Sequence, residues 1–275
     1  SYENDPEYFH ETFESMEELF VEYISEEEAR FRSEEISEKD VVEFSRSVWD
    51  FWNRLADLDQ DKIPQMSQVE ESTNFQFVNL NYTAVFDAYV ARMEARKRYI
   101  GSHTYVDKLV SPFHPHGQIE FGEPREVVFG VSEPDQLMCE LFQRDEDICE
   151  LWTKKGKNAL FGNKNSSHLK TLIENGRIFC IFGSSLGETD GYIWRQIGAR
   201  IRGNGAVRLI LFEHSLPDRG GLFARLYQKK RRGLLDKFAR VASLSPENMA
   251  KIESQVIVAP SDLVFRLKLP GVSSE

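Results

Sequence analysis

An apolar run, Ile178-Phe179-Cys180-Ile181-Phe182, leads straight into Gly183-Ser184-Ser185-Leu186-Gly187-Glu188-Thr189-Asp190, and a helical pattern with Tyr192, Ile193 and Ile197 follows. A buried strand, a tight glycine-bearing loop and a helix start, in that order, form a strand–loop–helix unit. Two chemistries fit the loop. Free backbone N–H groups at the positive end of a helix bind phosphates and other anions. The spacing G-x-S-x-G, with Ser185 at its centre, is also that of a nucleophile elbow.

Chain order argues against the elbow. A hydrolase of that kind needs an acid and then a histidine downstream of the serine, each on a later strand. His214 is the only histidine after Ser185. The acids between them are Glu188 and Asp190, on the serine's own loop, and Glu213, adjacent to the histidine. Ser185 with Glu188 also fits a capping box, which needs no ligand.

The rest of the chain alternates strands and helices. Residues 6–31 predict a helix with Phe9, Phe13, Met16, Phe20 and Tyr23 on one stripe. Ser37 and Asp40 mark a capped second helix reaching about residue 58, with Trp49 and Trp52 as core or interface residues. A polar connector with Pro64 follows. Strands are then expected at 75–80, 126–130, 178–182, 207–212 and 256–258, with a short apolar stretch at Leu109-Val110. Helices are expected at 83–97, across much of 133–175, and at 189–201, 219–240 and 246–253. This pattern predicts an α/β fold, a Rossmann-like and mainly parallel sheet with helices on both faces. The domain reading is an acidic helical segment, residues 1–72, packed on or inserted into an α/β domain, residues 73–275.

Charge and cysteine usage narrow the function classes. With 34 basic and 45 acidic residues the net charge is −11, a poor match to the polyanionic backbone of nucleic acids. The charge is uneven. Residues 1–71 are rich in glutamate, whereas 195–240 are net basic, with Lys229-Lys230-Arg231-Arg232 the densest run. That run reads as a solvated helix face, or as a docking surface for the acidic half or for a partner. Cys139, Cys149 and Cys180 are odd in number and lack C-x-x-C spacing, which predicts a reducing cytoplasm, no disulfide framework and no structural zinc. No apolar run approaches 18 residues and no signal peptide stands out, so neither a membrane span nor secretion is expected.

Three polar clusters fall just beyond strands, where parallel sheets gather their functional residues. They are Asn79-Leu80-Asn81-Tyr82-Thr83, His114-Pro115-His116-Gly117 and Gly183 to Asp190. Each has a plain structural alternative: Asn81 or Thr83 as a helix cap, His116 as a satisfied turn histidine, Ser185 as part of a capping box.

Asn81-Tyr82-Thr83 after a strand, then His114-x-His116-Gly117, then Phe182 to Asp190 before a helix bearing Tyr192 and Trp194, resembles the AbiH bacteriophage abortive-infection family. That family is distantly similar to sirtuin-like NAD-binding domains. The resemblance spans about residues 74–212 and implies a sirtuin-type Rossmann-like fold, a bacterial cytoplasmic setting and a role in phage defence. It points to NAD or another nucleotide as ligand; no metal is expected, and a protein partner or a homo-oligomer is the further expectation. Asn81 and His116 would be the catalytic pair of an NAD glycohydrolase. Tyr82, Thr83, Gly117, Gly183, Ser184, Ser185 and Asp190 would contact the nucleotide. Breaking the nicotinamide–ribose bond builds positive charge on the ribose. Asn81 would then hold ribose hydroxyls or the attacking water, and His116 would take a proton. Asp190 would bind a ribose hydroxyl or cap the helix.

The chain departs from the family pattern twice. No Gly-Asn-Gly-Phe-Asp loop precedes residue 75, as if the natural start had been removed or this were a divergent member. Thr83 stands where sirtuin-like enzymes carry an acid. The cysteine quartet of zinc-bearing deacylases is also missing, which argues against deacetylation. A non-catalytic nucleotide sensor is the competing class. A nuclease-like effector ranks last, since the clustered Asp/Glu/Lys set of metal-dependent phosphodiester cleavage is missing.

Overall fold

The computed structural model describes residues 6–32, 36–63, 69–120, 123–125, 127–137, 139–162, 164–262, 264, 265 and 267. In chain order the first elements are α1 (Pro6–Arg32), α2 (Glu38–Trp49), α3 (Asp57–Gln60), β1 (Asn74–Phe75), α4 (Val85–Ala91), β2 (Arg96–Ile100), β3 (His103–Leu109), β4 (Gln118–Glu120) and β5 (Glu123–Arg125). A helical stretch follows, with α5 (Glu140–Arg144), α6 (Glu146–Trp152), α7 (Lys154–Leu160) and α8 (Asn165–Asn175). The C-terminal part runs β6 (Ile178–Ile181), α9 (Gly191–Gly203), β7 (Arg208–Glu213), α10 (Ala224–Val241), α11 (Pro246–Ile252) and β8 (Val256–Pro260).

β6, β7 and β8 form an all-parallel three-stranded sheet in that order. Leu209 and Leu211 of β7 and Val256 and Val258 of β8 pack into the core beneath α8 to α11. Their alternate neighbours, Ile210, Phe212, Ile257 and Ala259, face the other way, onto Phe51, Trp52, Leu55 and Ile63. Burial on both faces is why these strands read as continuous apolar runs rather than alternating ones. It also places residues 51–63, from the acidic N-terminal part, against one face of the sheet. Cys180 lies on β6, at the edge of this sheet, and is exposed rather than in the core.

The region between α4 and β3 differs from the sequence reading. The helix expected to reach residue 97 stops at Ala91, and Arg96–Ile100 is a strand paired antiparallel with β3 around Gly101-Ser102. Gly101 has φ 58, the left-handed conformation a two-residue hairpin turn demands. Charge holds this hairpin together. The fully buried carboxylate of Asp107 accepts from Arg98 at 2.7 and 2.9 Å and from Arg96 at 3.1 Å, and Arg96 also lies over the rings of Trp49 and Trp52. Two expected strands shrink. Only Asn74–Phe75 of the 75–80 run pairs as a ladder, with a lone parallel bridge from Val78 to Phe113. Val127 to Gly130 form no strand, although Val127 and Val128 are buried. The second helix ends at Trp49 instead of about residue 58, and Phe51–Arg54 continue as a 3-10 turn. Ser37 caps α2 as expected, accepting from the Asp40 N–H.

The stripe on α1 is divided. Phe13 and Phe20 turn inward, onto Trp152, Phe129 and Tyr82, whereas Met16 and Tyr23 are exposed. Among the described residues, no helix is long and apolar enough to cross a membrane.

Candidate functional site

The three polar clusters meet in space. The His114 imidazole is the first tie: its Nδ1 donates to the Asn81 carbonyl at 3.0 Å, and its Nε2 faces both Asp87 oxygens at 3.0 and 3.1 Å. His116 is the second: its Nε2 lies 3.2 Å from Asp190 Oδ1 and 3.4 Å from the Tyr192 hydroxyl. Tyr82 completes the group, its ring centroid 6.3 Å from that of His116 and its hydroxyl donating to the Val128 carbonyl at 3.1 Å.

Local sequence explains how the histidines are aimed. Pro115 and Gly117 make a four-residue turn closed by the Gly117 N–H on the His114 carbonyl at 3.2 Å. Gly117 takes φ 76, a conformation that any side chain would strain. The turn is buried and is pinned from outside by the Val128 N–H on the His116 carbonyl at 2.8 Å.

Lys154 is the residue that sequence reasoning missed. It opens α7, is almost fully buried, and places its Nζ 2.5 Å from Asp190 Oδ1. One carboxylate oxygen thus serves both Lys154 and His116. Burial pushes the Asp190 carboxyl up, but the His116 hydrogen bond and the Lys154 charge together outweigh it and hold the group below the usual carboxylate range. The phenols of Tyr82 and Tyr192 are pushed well above their ordinary range, chiefly by burial and then by the charge of Asp190. Both stay neutral hydrogen-bonding groups at physiological pH.

The other expected site residues fall as follows. Asn81 is exposed, and it meets His114 through its carbonyl rather than its amide. The buried amide of this cluster is Asn79, whose Oδ1 accepts from the Asn81 N–H at 3.0 Å. Thr83 takes part through its carbonyl, which accepts from Asn79 Nδ2 at 3.4 Å. The Ala84 N–H, one residue on, binds the buried carboxylate of Glu28 from α1 at 2.9 Å.

The Gly183 loop is partly closed on itself. Ser184 Oγ accepts from the Leu186 N–H, the Gly187 carbonyl accepts from Asp190 N–H and Trp194 Nε1, and the Tyr192 N–H goes to Ser132 Oγ. Leu186 is buried at φ 49, so the loop turns through two left-handed residues, Gly183 and Leu186. Gly183 and Ser185 face solvent, and a Cβ on Gly183 would meet nothing within 4 Å. The capping box of Ser185 and Glu188 is not formed, since Gly187 precedes the 3-10 turn Glu188–Asp190 and no side chain caps it. Asp190 does not cap α9 with its side chain either; its oxygen is engaged by Lys154 and His116.

α1 roofs the cluster. Phe20 meets the Tyr82 ring edge-on at 5.4 Å, and Glu17 binds Lys157 at 2.5 Å, one turn along α7 from Lys154. An open groove of about 560 Å³ runs beside α9, lined by Glu133, Pro134, Asp135, Gln143 and Arg195. His116 and Asp190 lie outside that lining, although Ser132, which binds the Tyr192 N–H, adjoins it.

Comparison with known families matches residues 4–212, about three quarters of the chain, to bacteriophage abortive infection AbiH. Neither curated proteins nor solved structures give a match. The matched span takes in α1, all three polar clusters, Lys154, β6 and β7 as far as Phe212. The chain therefore belongs to the bacteriophage abortive infection AbiH family.

Proposed function

We propose that the chain acts in bacterial defence against phage as an abortive-infection protein, and that its α/β part binds a nucleotide, with NAD the substrate of a glycosidic cleavage. The family supports the defence role. The observation that carries the nucleotide reading is the convergence of the three clusters on His116 and Asp190. A parallel sheet buried on both faces, with a glycine-bearing loop between β6 and α9, supports a Rossmann-like, sirtuin-type architecture.

In this reading the exposed residues Gly183, Ser185 and Asn81 offer donors to phosphate and ribose oxygens. Asp190 orients the His116 ring, and His116 moves a proton to or from a ribose hydroxyl or a water. The carboxylate also places negative charge near a centre that becomes positive as the nicotinamide leaves. NAD supplies the bond that breaks. The protein contributes position, a proton carrier and charge.

One observation favours a second reading, a non-catalytic nucleotide sensor. His116 is 2 % exposed, and its Nε2 is already engaged by protein groups. The test is incubation with NAD while free nicotinamide and bound NAD are followed, for the parent chain, His116→Ala and Asn81→Ala. Turnover lost in both variants supports the enzyme. Binding without turnover supports the sensor, and a parent chain that binds no nucleotide overturns both.

A further inference from the structure

Two helices on this chain carry opposite charge and leave apolar side chains in solvent. On α1 there are nine glutamates against two arginines. Leu19 and Tyr23, each more than half exposed, lie beside the exposed row Glu18, Glu22 and Glu26, and Met16 is exposed further round the helix. A shallow groove runs along the glutamate row, lined by Glu18, Val21, Glu22, Ser25, Glu26 and Ala29. On α10 there are seven lysines and arginines against one aspartate. Its entry shows Leu222 at 98 % exposure, with Phe223 and Leu226 also exposed, beside the exposed row Arg225, Lys229 and Arg232.

The α10 tip is held in place rather than hanging free. Arg219 binds the buried Asp59 carboxylate and the Val258 carbonyl and lies over the Tyr227 ring. Lys230 donates to the carbonyls of His214 and Ser215. The segment leading to Leu222 is therefore anchored at its base, and the apolar tip is displayed at a fixed angle.

We infer that α1 of one copy docks on α10 of a second copy. The spacings match: Glu18 to Glu26 spans about 12 Å along one helix, and Arg225 to Arg232 about 10 Å along the other. Like charges four residues apart weaken a helix, and an opposing row of the other sign relieves that on both helices at once. The apolar groups beside each row then leave water together. The tip's cations and leucines would also suit an anionic lipid surface, but a chain of net charge −11 is repelled by one, and the chain's own α1 supplies the complementary face. The contact joins different patches on the two copies. It either occurs twice across a two-fold axis or repeats head to tail. It is independent of the nucleotide reading.

The test is sedimentation velocity of the whole chain at low ionic strength and in high salt. The parent is expected to sediment faster than a monomer at low ionic strength and to fall toward monomer in high salt, as exposed charge pairs are screened. The triple variant Glu18→Lys/Glu22→Lys/Glu26→Lys and the triple variant Arg225→Glu/Lys229→Glu/Arg232→Glu should each be monomeric. Mixed, they should associate again, because each then meets an opposite row on the other. A monomeric parent, a triple variant that associates like the parent, or a mixture that stays monomeric overturns the proposal. So does a monomeric parent that pellets with phosphatidylserine vesicles, which would assign the tip to a membrane. Leu222→Ser, at a fully exposed position, guards against misfolding of the triple variants, and it too must weaken association.

Discussion

His116 Nε2 lies 3.2 Å from Asp190 Oδ1, and the same oxygen takes a 2.5 Å bond from Lys154 Nζ. Three chain segments, from the 114–117 turn, α7 and the β6–α9 loop, are thus joined at one atom. Removing that charge by Asp190→Asn leaves the Lys154 ammonium buried without a counter-ion, at a cost of about 3 kcal/mol in denaturant unfolding. Adding Lys154→Met removes the stranded charge, and replacing a buried ion pair by apolar groups is often near neutral. The double variant should therefore be more stable than Asp190→Asn alone. Simple addition of the two single costs would show that the pair does not couple.

Asp107 sets the acid limit of the β2–β3 hairpin. Burial pushes its carboxyl up, but the hydrogen bonds from Arg98, the Thr73 N–H and Arg96 outweigh that and hold it below the usual range. A carboxyl whose folded value is depressed contributes stability that is fully present above its unfolded value, about pH 4. The contribution is lost as pH falls through the lower folded value. Asp107→Asn should cost about 3 to 5 kcal/mol at neutral pH, since Arg98 is left buried without its counter-charge. Its melting temperature should also change less than the parent's as the pH falls below about 4. Thermal melts against pH check both points, and a parallel acid limb in the variant would assign the loss to other carboxylates.

These charged interiors are where the sequence is least legible. β7 and β8 are readable because both their faces are buried, which makes Leu209 to Phe212 and Val256 to Val258 uninterrupted apolar runs, and the half-buried edge strand β6 is readable from the apolar run Ile178 to Ile181. The hairpin is hidden because β2 is Arg-Lys-Arg-Tyr-Ile, a stretch that hydropathy assigns to a surface helix until Asp107, nine residues beyond Arg98, neutralises it. The site divides in the same way. Strand ends point to the three clusters, but nothing local marks Lys154 as the partner of a residue 36 positions away. Nor does sequence tell Asn79, whose amide is buried and builds the site, from Asn81, which is exposed. Burial of a polar side chain is set by the packing around it, which no spacing rule encodes.

Tyr82 and Tyr192 should titrate late. Burial raises both phenols, and the nearby Asp190 charge raises them further. In an alkaline absorbance titration, three of the nine tyrosines should ionise late: Tyr82 and Tyr192 well above the ordinary tyrosine value of about 10, and Tyr227, whose phenol burial also raises. The sign is opposite to that of the carboxylates. With folded values above the unfolded one, their contribution to stability is fully present below about pH 10 and is lost as pH rises through the folded values. Tyr82→Phe and Tyr192→Phe should each delete one late-titrating group, and Asp190→Asn should move both downward. A single ordinary titration step for all the tyrosines would contradict this burial.

The last prediction concerns the roof. α1 is held over the site by Phe9 and Phe13 on Trp152, by Phe13 and Phe20 on Phe129, by Phe20 on Tyr82 and by Glu17 on Lys157. Trp152 is 1 % exposed and anchors the Phe9 and Phe13 end of α1, so Trp152→Ala should cost about 3 to 5 kcal/mol. Phe20 is only half-buried, and Phe20→Ala should cost less, about 2 kcal/mol. The two effects should also differ in extent. β6, β7 and β8 draw their core from α8 to α11 and from residues 51–63, none of which α1 supplies. Hydrogen exchange in Phe20→Ala should therefore quicken along α1 and at Tyr82 while amides of β7 keep their protection. If β7 loosens together with α1, the roof and the sheet unfold as one unit, and the acidic helix is part of the core's cooperativity rather than a cover on the site.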